Sequence, residues 1–233
     1  WEALITKDKP SITGTLPLRL CVGGLPDFVG TVDDIMIDVI LQPIDGPGRI
    51  LGSAGPCFTR NSGNLPVYGV MFFDTADLAF LQSPGIELLD EVVVHEMGHV
   101  LGIGTLWNYR RMLRSPTLEY LGEHGNDQYA EIGGVGPVPI ENMGGPGTAG
   151  GHWRESVFNN ELMTGFLNLG ENPLSRISSG TLRDLGYRVN MAAEAYMLPV
   201  PQPAPSSLES AGSAALVDGL NIEASELLFA PVA

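Results

Sequence analysis

The residues best able to do chemistry lie in the stretch EVVVHEMGHVLGIGTLW, Glu91 to Trp107. It contains two histidines four residues apart, His95 and His99, and a glutamate, Glu96, directly after the first. On a helix the two imidazoles lie about 40° apart, on one face and one turn from each other. Glu96 lies about 100° from His95, at the edge of that face. This arrangement can hold a metal ion and place a carboxylate beside a water activated by that ion.

Zinc is the metal that the pattern favours, because imidazole ligands in a hydrolytic HExxH motif suit Zn²⁺ and need no redox chemistry. Zinc lowers the pKa of a bound water towards about 7. Glu96 would accept a proton from that water and pass it to the leaving amine. Gly102 lies on the ligand face, where a glycine allows the chain to turn out of the helix directly below the metal.

The third ligand is missing from the compact position. Catalytic zinc sites usually have three protein ligands. In the HExxHxxGxxH pattern the position of the third histidine is occupied here by Thr105, a poor ligand for zinc. The remaining histidines are His124, in the polar stretch GEHGND, which predicts a solvated loop, and His152, in GGHWRESVFNNELMTG. Glu155 and Glu161 are alternatives, because a glutamate completes the two-histidine zinc site of some hydrolases.

Two stretches, HEMGHVLGIGTLW and GGHWRESVFNNELMTGFLN, resemble the leishmanolysin-type branch of the metzincin peptidases, and the similarity spans Leu51 to Asn190. In that family a long insertion separates the helix glycine from the third histidine, and a methionine-bearing turn follows. The resemblance therefore implies that His152 is the third ligand, that Met163 packs beneath the metal, and that Glu96 is the catalytic base. It also implies an α+β, metzincin-like zincin fold with a twisted N-terminal sheet, an active-site helix and an irregular C-terminal lobe.

The elements that position these residues follow from periodicity and from helix and turn signals. LPLRLCVGG, DDIMIDVILQPIDG and LPVYGVMFFD predict strands. The resemblance implies that VYGVMFFD is an edge strand that pairs with an extended substrate, and an ordinary core strand is the alternative. Ile86 to Leu101 predicts the main helix, and DTADLAFLQ predicts a short helix with Asp74 as its N-cap. ISSGTLRDLGYRVN predicts a helix capped by Ser178 or Ser179 and ended by Gly186.

The 233 residues predict one catalytic domain over 1–190, with an N-terminal lobe over about 1–102 and a C-terminal lobe over about 103–190. Residues 108–150 are polar and then glycine-rich, which predicts a long irregular insertion. Residues 191–233 are rich in proline, alanine and serine and predict a tail or C-terminal extension.

Three residues flank the ends of this insertion, namely Trp107, Trp153 and Arg154. They either clamp the insertion onto the domain or line the cleft. Tyr187 could assist the transition state, as a tyrosine does in some metzincins, but a packed tyrosine is favoured because no spacing rule places it at the metal.

The formal net charge is −15, from 12 basic and 27 acidic residues. This balance disfavours nucleic acid and anionic membrane surfaces as main partners, since both need basic patches. No stretch approaches the roughly 18 apolar residues of a membrane span. The two cysteines, Cys21 and Cys57, either form a disulfide that suits an exported protein or remain separate thiols. Asp74 and Asp77 are candidate Ca²⁺ ligands, although roles at a helix N-terminus explain them more simply.

These patterns predict a secreted zinc endopeptidase that acts as a monomer on peptide or protein substrates. One alternative is a zinc hydrolase with Glu155 or Glu161 as the third ligand. Another is a non-catalytic zinc-containing binding or adhesion module. The presence of Glu96 disfavours that last alternative, because a decayed peptidase need not keep its base.

Overall fold

Helices and strands are mixed along the chain, so the α+β prediction is confirmed. The computed structural model describes residues 1–199, 221–224 and 230–232. Within these residues the chain forms five α-helices and nine strands. None of the helices in this part of the chain has both the length and the apolar character that crossing a membrane requires.

The central sheet is built from three long strands, β3 (Met36–Gln42), β4 (Ile50–Arg60) and β5 (Pro66–Asp74). β5 lies in the middle, with β3 parallel on one side and β4 antiparallel on the other. Two short segments of the predicted tail, β8 (Asn221–Ala224) and β9 (Ala230–Val232), pair in parallel with β4. Part of the tail therefore joins the sheet, while a domain boundary at residue 190 stays a prediction.

The position of β5 contradicts the expectation that VYGVMFFD is an edge strand. Both of its sides are hydrogen-bonded to neighbouring strands, and eight of its nine residues are buried. A nearly continuous apolar run is typical of a strand covered on both faces, which is the environment that β5 occupies. The core-strand alternative is therefore the correct one, and this stretch offers no free edge to a substrate.

A small hairpin is fastened to the sheet by a disulfide. Its strands are β1 (Ile12–Leu16) and β2 (Phe28–Val32), which pair antiparallel, and a short 3₁₀ helix (Leu18–Leu20) follows the first strand. Cys21, at the end of that 3₁₀ helix, is bonded to Cys57 in β4, with their Cα atoms 5.9 Å apart. The pairing decides between the two interpretations of the cysteines, in favour of the disulfide.

The helix that carries the HExxH motif is α2 (Leu89–Leu101), which lies between two apolar cores. On one side, Val92 and Val100 pack in a cluster with apolar residues of β4 and β5. On the other side, Leu101 belongs to a larger cluster formed mainly by residues after the helix. The remaining α-helices of the described residues are α1 (Leu78–Leu81), α3 (Glu123–Glu131), α4 (Glu155–Phe158) and α5 (Arg176–Leu185).

The start of α2 differs from the prediction by three residues. The helix begins at Leu89, whereas the apolar pattern predicts a start at Ile86. Glu87 has a φ of 49°, a left-handed conformation that no α-helix contains, so the chain is still turning at this point. The end of the helix at Leu101 agrees with the prediction.

The predicted N-caps of α1 and α5 are wrong, although both helices exist. The N-cap of α1 is Asp77, and Asp74 instead ends β5. The N-cap of α5 is Ser175, whose side chain accepts a hydrogen bond from the backbone N–H of Ile177. Ser178 and Ser179 lie within the helix, and Gly186 ends it with a φ of 104°, as predicted.

Part of the predicted irregular insertion is regular. It contains a two-stranded hairpin, β6 (Leu113–Arg114) with β7 (Glu119–Tyr120), and then α3. His124 therefore lies in the first turn of a helix and not in a loop. Asp184 of α5 accepts hydrogen bonds from the backbone N–H groups of His124 and Gly125, at 2.9 Å each. Because Asp184 is sixty residues away from His124, no local sequence pattern predicts this helix.

Replacing both Cys21 and Cys57 by alanine is expected to lower the free energy of unfolding by about 2–4 kcal/mol, because the disulfide closes a loop with a sequence separation of 36. Urea unfolding of the variant and of the wild type, at equal zinc concentration, measures the difference. Reduced wild-type protein is the control and should match the variant. A difference below about 0.5 kcal/mol would contradict the prediction.

Candidate metal centre

α2 carries three of the predicted site residues, His95, Glu96 and His99. All three side chains have no exposed surface. Asp90 and Glu91 lie in the first turn of the helix, where negative charge is favourable. Gly102 ends the helix with a φ of 111°, the left-handed conformation that glycine adopts without steric cost. The predicted turn after the helix is thus present at Gly102.

The chain beyond Gly102 folds back onto the second histidine. The Nδ1 atom of His99 lies 2.9 Å from the carbonyl oxygen of Ile103. The hydroxyl of Thr105 donates to the carbonyl oxygen of His99 at 2.7 Å. Thr105 occupies the position of the third histidine in the compact motif, and here it satisfies a carbonyl at the end of the helix. Its side chain therefore has a structural role and is directed to the backbone.

His152 is brought to the helix by the end of the insertion. The backbone N–H of Glu141 donates to the carbonyl of His152 at 2.8 Å, which closes the loop that precedes the histidine. The backbone N–H of Trp153 donates to the carbonyl of Met163 at 3.0 Å. The Nδ1 atom of His152 lies 3.0 Å from the carbonyl oxygen of Thr148. Backbone hydrogen bonds on both sides thus fix where His152 lies.

The three imidazoles converge through their Nε2 atoms. These atoms are 2.8 Å apart for His95 and His99, 2.9 Å for His99 and His152, and 3.2 Å for His95 and His152. Among the residues that the structure describes, these three histidines form a group whose ligand atoms are close enough to hold one metal ion. Tetrahedral zinc with Zn–N bonds of about 2.0–2.1 Å requires nitrogens roughly 3.4 Å apart, so only small movements are needed.

The hydrogen bonds of the rings decide which nitrogen carries the proton. The Nδ1 atom of His95 lies 2.6 Å from the carbonyl oxygen of Leu162, and the other two Nδ1 atoms also face carbonyl oxygens. A carbonyl only accepts, so each Nδ1 is the protonated nitrogen. Each Nε2 then directs a lone pair to the common centre. Three converging lone pairs repel one another unless a cation lies between them, so the residues present fit a metal ion.

Burial keeps these imidazoles neutral. Loss of solvation, and next the nearby imidazole of His152, lowers the pKa of His95 to about 3. Loss of solvation lowers the pKa of His152 to about 4 and that of His99 well below its ordinary value. All three side chains are therefore in the metal-binding form near neutral pH.

Glu96 follows His95 on α2, and its carboxylate lies against the central sheet. A Cβ atom at Gly52 of β4 would lie 2.6 Å from the Oε1 atom of Glu96. The absence of a side chain at Gly52 therefore leaves room for the carboxylate. The role of Glu96 as the catalytic base stays a prediction.

Met163, the predicted residue of the methionine-bearing turn, packs against α2. It is fully buried, and a Cβ atom at Gly98 of α2 would lie 2.8 Å from its sulfur. The preceding residue, Leu162, supplies the carbonyl that accepts from His95. The turn thus contacts the helix by its side chain and the first histidine by its backbone.

The alternative third ligands do not join the two histidines. The carboxylate of Glu161 accepts hydrogen bonds from Met163, Ser175 and Ser178, and Glu155 begins α4. Neither belongs to the converging group, and neither does His124.

The aromatic residues at the ends of the insertion clamp it to the domain. The rings of Trp107 and Trp153 are both fully buried, with centroids 4.5 Å apart. Arg154 donates from Nε to the carbonyl of Ile140 at 3.0 Å. Tyr187 is also a packed residue, because its hydroxyl donates to the carbonyl of Leu101 at 3.0 Å.

The candidate calcium ligands are engaged with backbone N–H groups. Asp74 accepts from Asp45, Gly46 and Ala76, and these hydrogen bonds lower its pKa. Asp77 accepts from Gly48 at 2.6 Å. Within the described residues the two aspartates form no converging group with a third ligand, and calcium binding stays a prediction.

Four contributors to the site have no signature in the sequence. Three are the carbonyl groups of Ile103, Thr148 and Leu162, which every residue type possesses. The fourth is Gly52, in the stretch LGSAG, where a glycine alone predicts nothing about a distant carboxylate. Only the approach of chain segments in space brings them together.

No protein-family model matches the chain, and a search of curated proteins returns no match.

Replacing His152 by alanine is expected to weaken zinc binding by more than about 100-fold, because loss of a ligand exceeds the usual cost of losing an outer hydrogen-bond partner. His124→Ala is the matched control and should bind zinc as the wild type does. Competition with a chromophoric chelator gives the dissociation constants, and elemental analysis gives the zinc content. Full zinc binding by His152→Ala would refute the assignment.

Proposed function

We propose that this protein is a zinc-dependent endopeptidase. The observation that carries the proposal is the convergence of the Nε2 atoms of His95, His99 and His152. The first two of these histidines share α2 with Glu96. Three histidine ligands leave the fourth coordination position of a zinc ion open. Catalytic zinc sites usually have three protein ligands and such an open position. A carboxylate beside such a position is the arrangement that hydrolysis by an activated water requires.

Each residue has a distinct part in this proposal. When bound, zinc would activate a water molecule and polarise the peptide carbonyl. His95, His99 and His152 would hold the ion. Glu96 would accept the proton of the water at a carboxylate oxygen and donate it to the nitrogen of the leaving amine.

The resemblance to leishmanolysin-type metzincins supports a peptide as the substrate. Met163 packs against α2, and His152 joins the helix histidines across 53 residues. Both features agree with what the resemblance implies. The disulfide between Cys21 and Cys57 supports export, since disulfides persist in oxidising compartments.

A second candidate function follows from the burial of the site. None of the four side chains, His95, Glu96, His99 and His152, has exposed surface. A site without exposed surface gives a peptide no access in this conformation, so a non-catalytic binding or adhesion module with zinc as a stabilising ion is the competing proposal. The two proposals differ in whether a peptide reaches Glu96, and hydrolysis assays separate them.

Glu96→Gln is expected to lower peptide hydrolysis by at least about 100-fold, because an amide cannot act as the base. Zinc content should stay as in the wild type, since Glu96 is not a ligand. The assay is release of fluorescence from labelled casein by the full chain, with and without a chelator. Persistent activity of Glu96→Gln, or activity in the presence of the chelator, would contradict the mechanism.

If the wild-type protein binds zinc but cleaves neither casein nor a broad peptide library, the structural-zinc alternative is favoured. Removal of zinc should then lower the free energy of unfolding, because the ion would only stabilise the fold.

Gly52→Ala is expected to reduce the rate of hydrolysis by about 10-fold or more, because the added methyl group displaces the carboxylate of Glu96. The zinc content should not change. Gly14→Ala is a matched control, since Gly14 lies in strand β1 and a Cβ there meets nothing within 4 Å. Equal activity of the two variants would show that the position of Glu96 does not depend on Gly52.

A further inference from the structure

A fully enclosed carboxylate lies at the junction between the methionine-bearing turn and α5. Glu161 is 1% exposed. Its Oε1 atom accepts from the backbone N–H and the hydroxyl of Ser175, at 3.0 and 2.7 Å, and from the hydroxyl of Ser178 at 2.7 Å. Its Oε2 atom accepts from the backbone N–H of Met163 at 2.6 Å. The ion pairs of the described residues do not include Glu161. These donors and the N-terminus of α5 offset its charge.

One route from Glu161 leads to the first histidine. The bond to Met163 closes a tight turn, and Leu162 is the residue between the two ends of that bond. The carbonyl of Leu162 accepts from Nδ1 of His95 at 2.6 Å. Glu161 therefore holds the acceptor that selects the tautomer and the ring orientation of His95.

A second route leads to the segment of the third histidine. The indole N–H of Trp153 donates to the hydroxyl of Ser178 at 2.9 Å, and that hydroxyl donates to Glu161. The backbone N–H of Trp153 also donates to the carbonyl of Met163. Since Trp153 directly follows His152, both bonds restrict the backbone that carries the third imidazole.

The second histidine is independent of this network. Nδ1 of His99 is bonded to Ile103, four residues along the same segment. No hydrogen bond of the turn or of Trp153 reaches Nδ1 of His99, and the turn approaches the His99 segment only by the packing of Met163 at Gly98. His99 therefore serves as an internal reference for any effect of Glu161.

We infer that Glu161 is a positioning residue for the metal centre, which holds His95 through the turn and His152 through Trp153. The inference rests on the proposed metal site but not on peptide hydrolysis. The position needs a carboxylate, because both oxygens of Glu161 accept hydrogen bonds. In an amide one oxygen is replaced by an NH₂ group, whose N–H groups would face the donors that now bond to that oxygen. Loss of such outer partners typically weakens metal binding by 10–100-fold.

The test uses the full chain loaded with Co²⁺ in place of zinc. The ion shifts the exchangeable imidazole N–H signals of its ligands in the NMR spectrum, and ¹⁵N-histidine labelling identifies them. Glu161→Gln is expected to shift the signals of His95 and His152 and to speed their exchange with water. The His99 signal, whose Nδ1 partner lies outside the network, is expected to change least. Competition with a chelator should give a dissociation constant for Co²⁺ about 10–100-fold higher than in the wild type.

Asp184→Asn is the matched control for a general loss of stability. Asp184 also accepts two backbone N–H groups and a hydroxyl, that of Tyr120, but it connects α5 with α3. The control is expected to keep all three imidazole signals and the affinity for Co²⁺. If both variants lose stability equally and both keep the His95 and His152 signals, Glu161 is only a structural residue and the inference is wrong.

If Glu161→Gln does not fold, Glu161→Asp decides the question, because it keeps the charge but shortens the side chain by one methylene. Its His95 and His152 signals must shift, and unchanged signals would overturn the inference. A wild-type protein that binds no Co²⁺ would also overturn it. A protein that gives the expected signals but cleaves no peptide would refute the proposed function alone.

Discussion

Three nitrogen lone pairs directed at one point in a dry interior are the constraint on which the rest of the structure depends. Each imidazole is fixed as an acceptor at Nε2 because its Nδ1 proton is bonded to a carbonyl group. In a medium of low polarity, such an arrangement is unfavourable until a cation occupies the centre. The carbonyls come from three places: the turn after α2, the loop before His152, and the methionine-bearing turn. The folding of these segments and the formation of the metal centre are therefore parts of one process.

The two cores on either side of α2 explain how a helix can bear this constraint. Val92 and Val100 fasten one face of it to the sheet, whereas Met163 packs at Gly98 on the other side. The imidazoles of His95 and His99 thus project from a helix whose rotation is fixed by packing. Against this rigid element, the His152 segment is added by hydrogen bonds to its neighbours at both ends. The helix fixes the positions of His95 and His99, and backbone hydrogen bonds of an irregular segment place the third histidine, His152.

The parts of the site that follow from helical periodicity could be predicted from the sequence, and the parts that depend on distant chain segments could not. The spacing of His95 and His99 places them on one face because the helix repeat is fixed. Assignment of His152 required a family resemblance, since 53 residues separate it from His99. The error at β5 has a similar origin, because an apolar strand looks the same at an edge and in the middle of a sheet. Likewise, Ser175 rather than Ser178 or Ser179 is the N-cap of α5 because the chain enters the helix at that residue, which periodicity does not reveal.

The enclosure of the triad also has a consequence for the speed of metal exchange. With no ligand exposed, an ion leaves only when a covering segment opens, so its release rate is set by a local opening equilibrium and not by bond strength alone. A chelator in large excess would then remove the ion at a rate independent of chelator concentration. The metal would remain in place long after the free concentration outside had fallen below its dissociation constant. Enclosure thus lengthens the retention of a bound ion beyond what its dissociation constant alone would give.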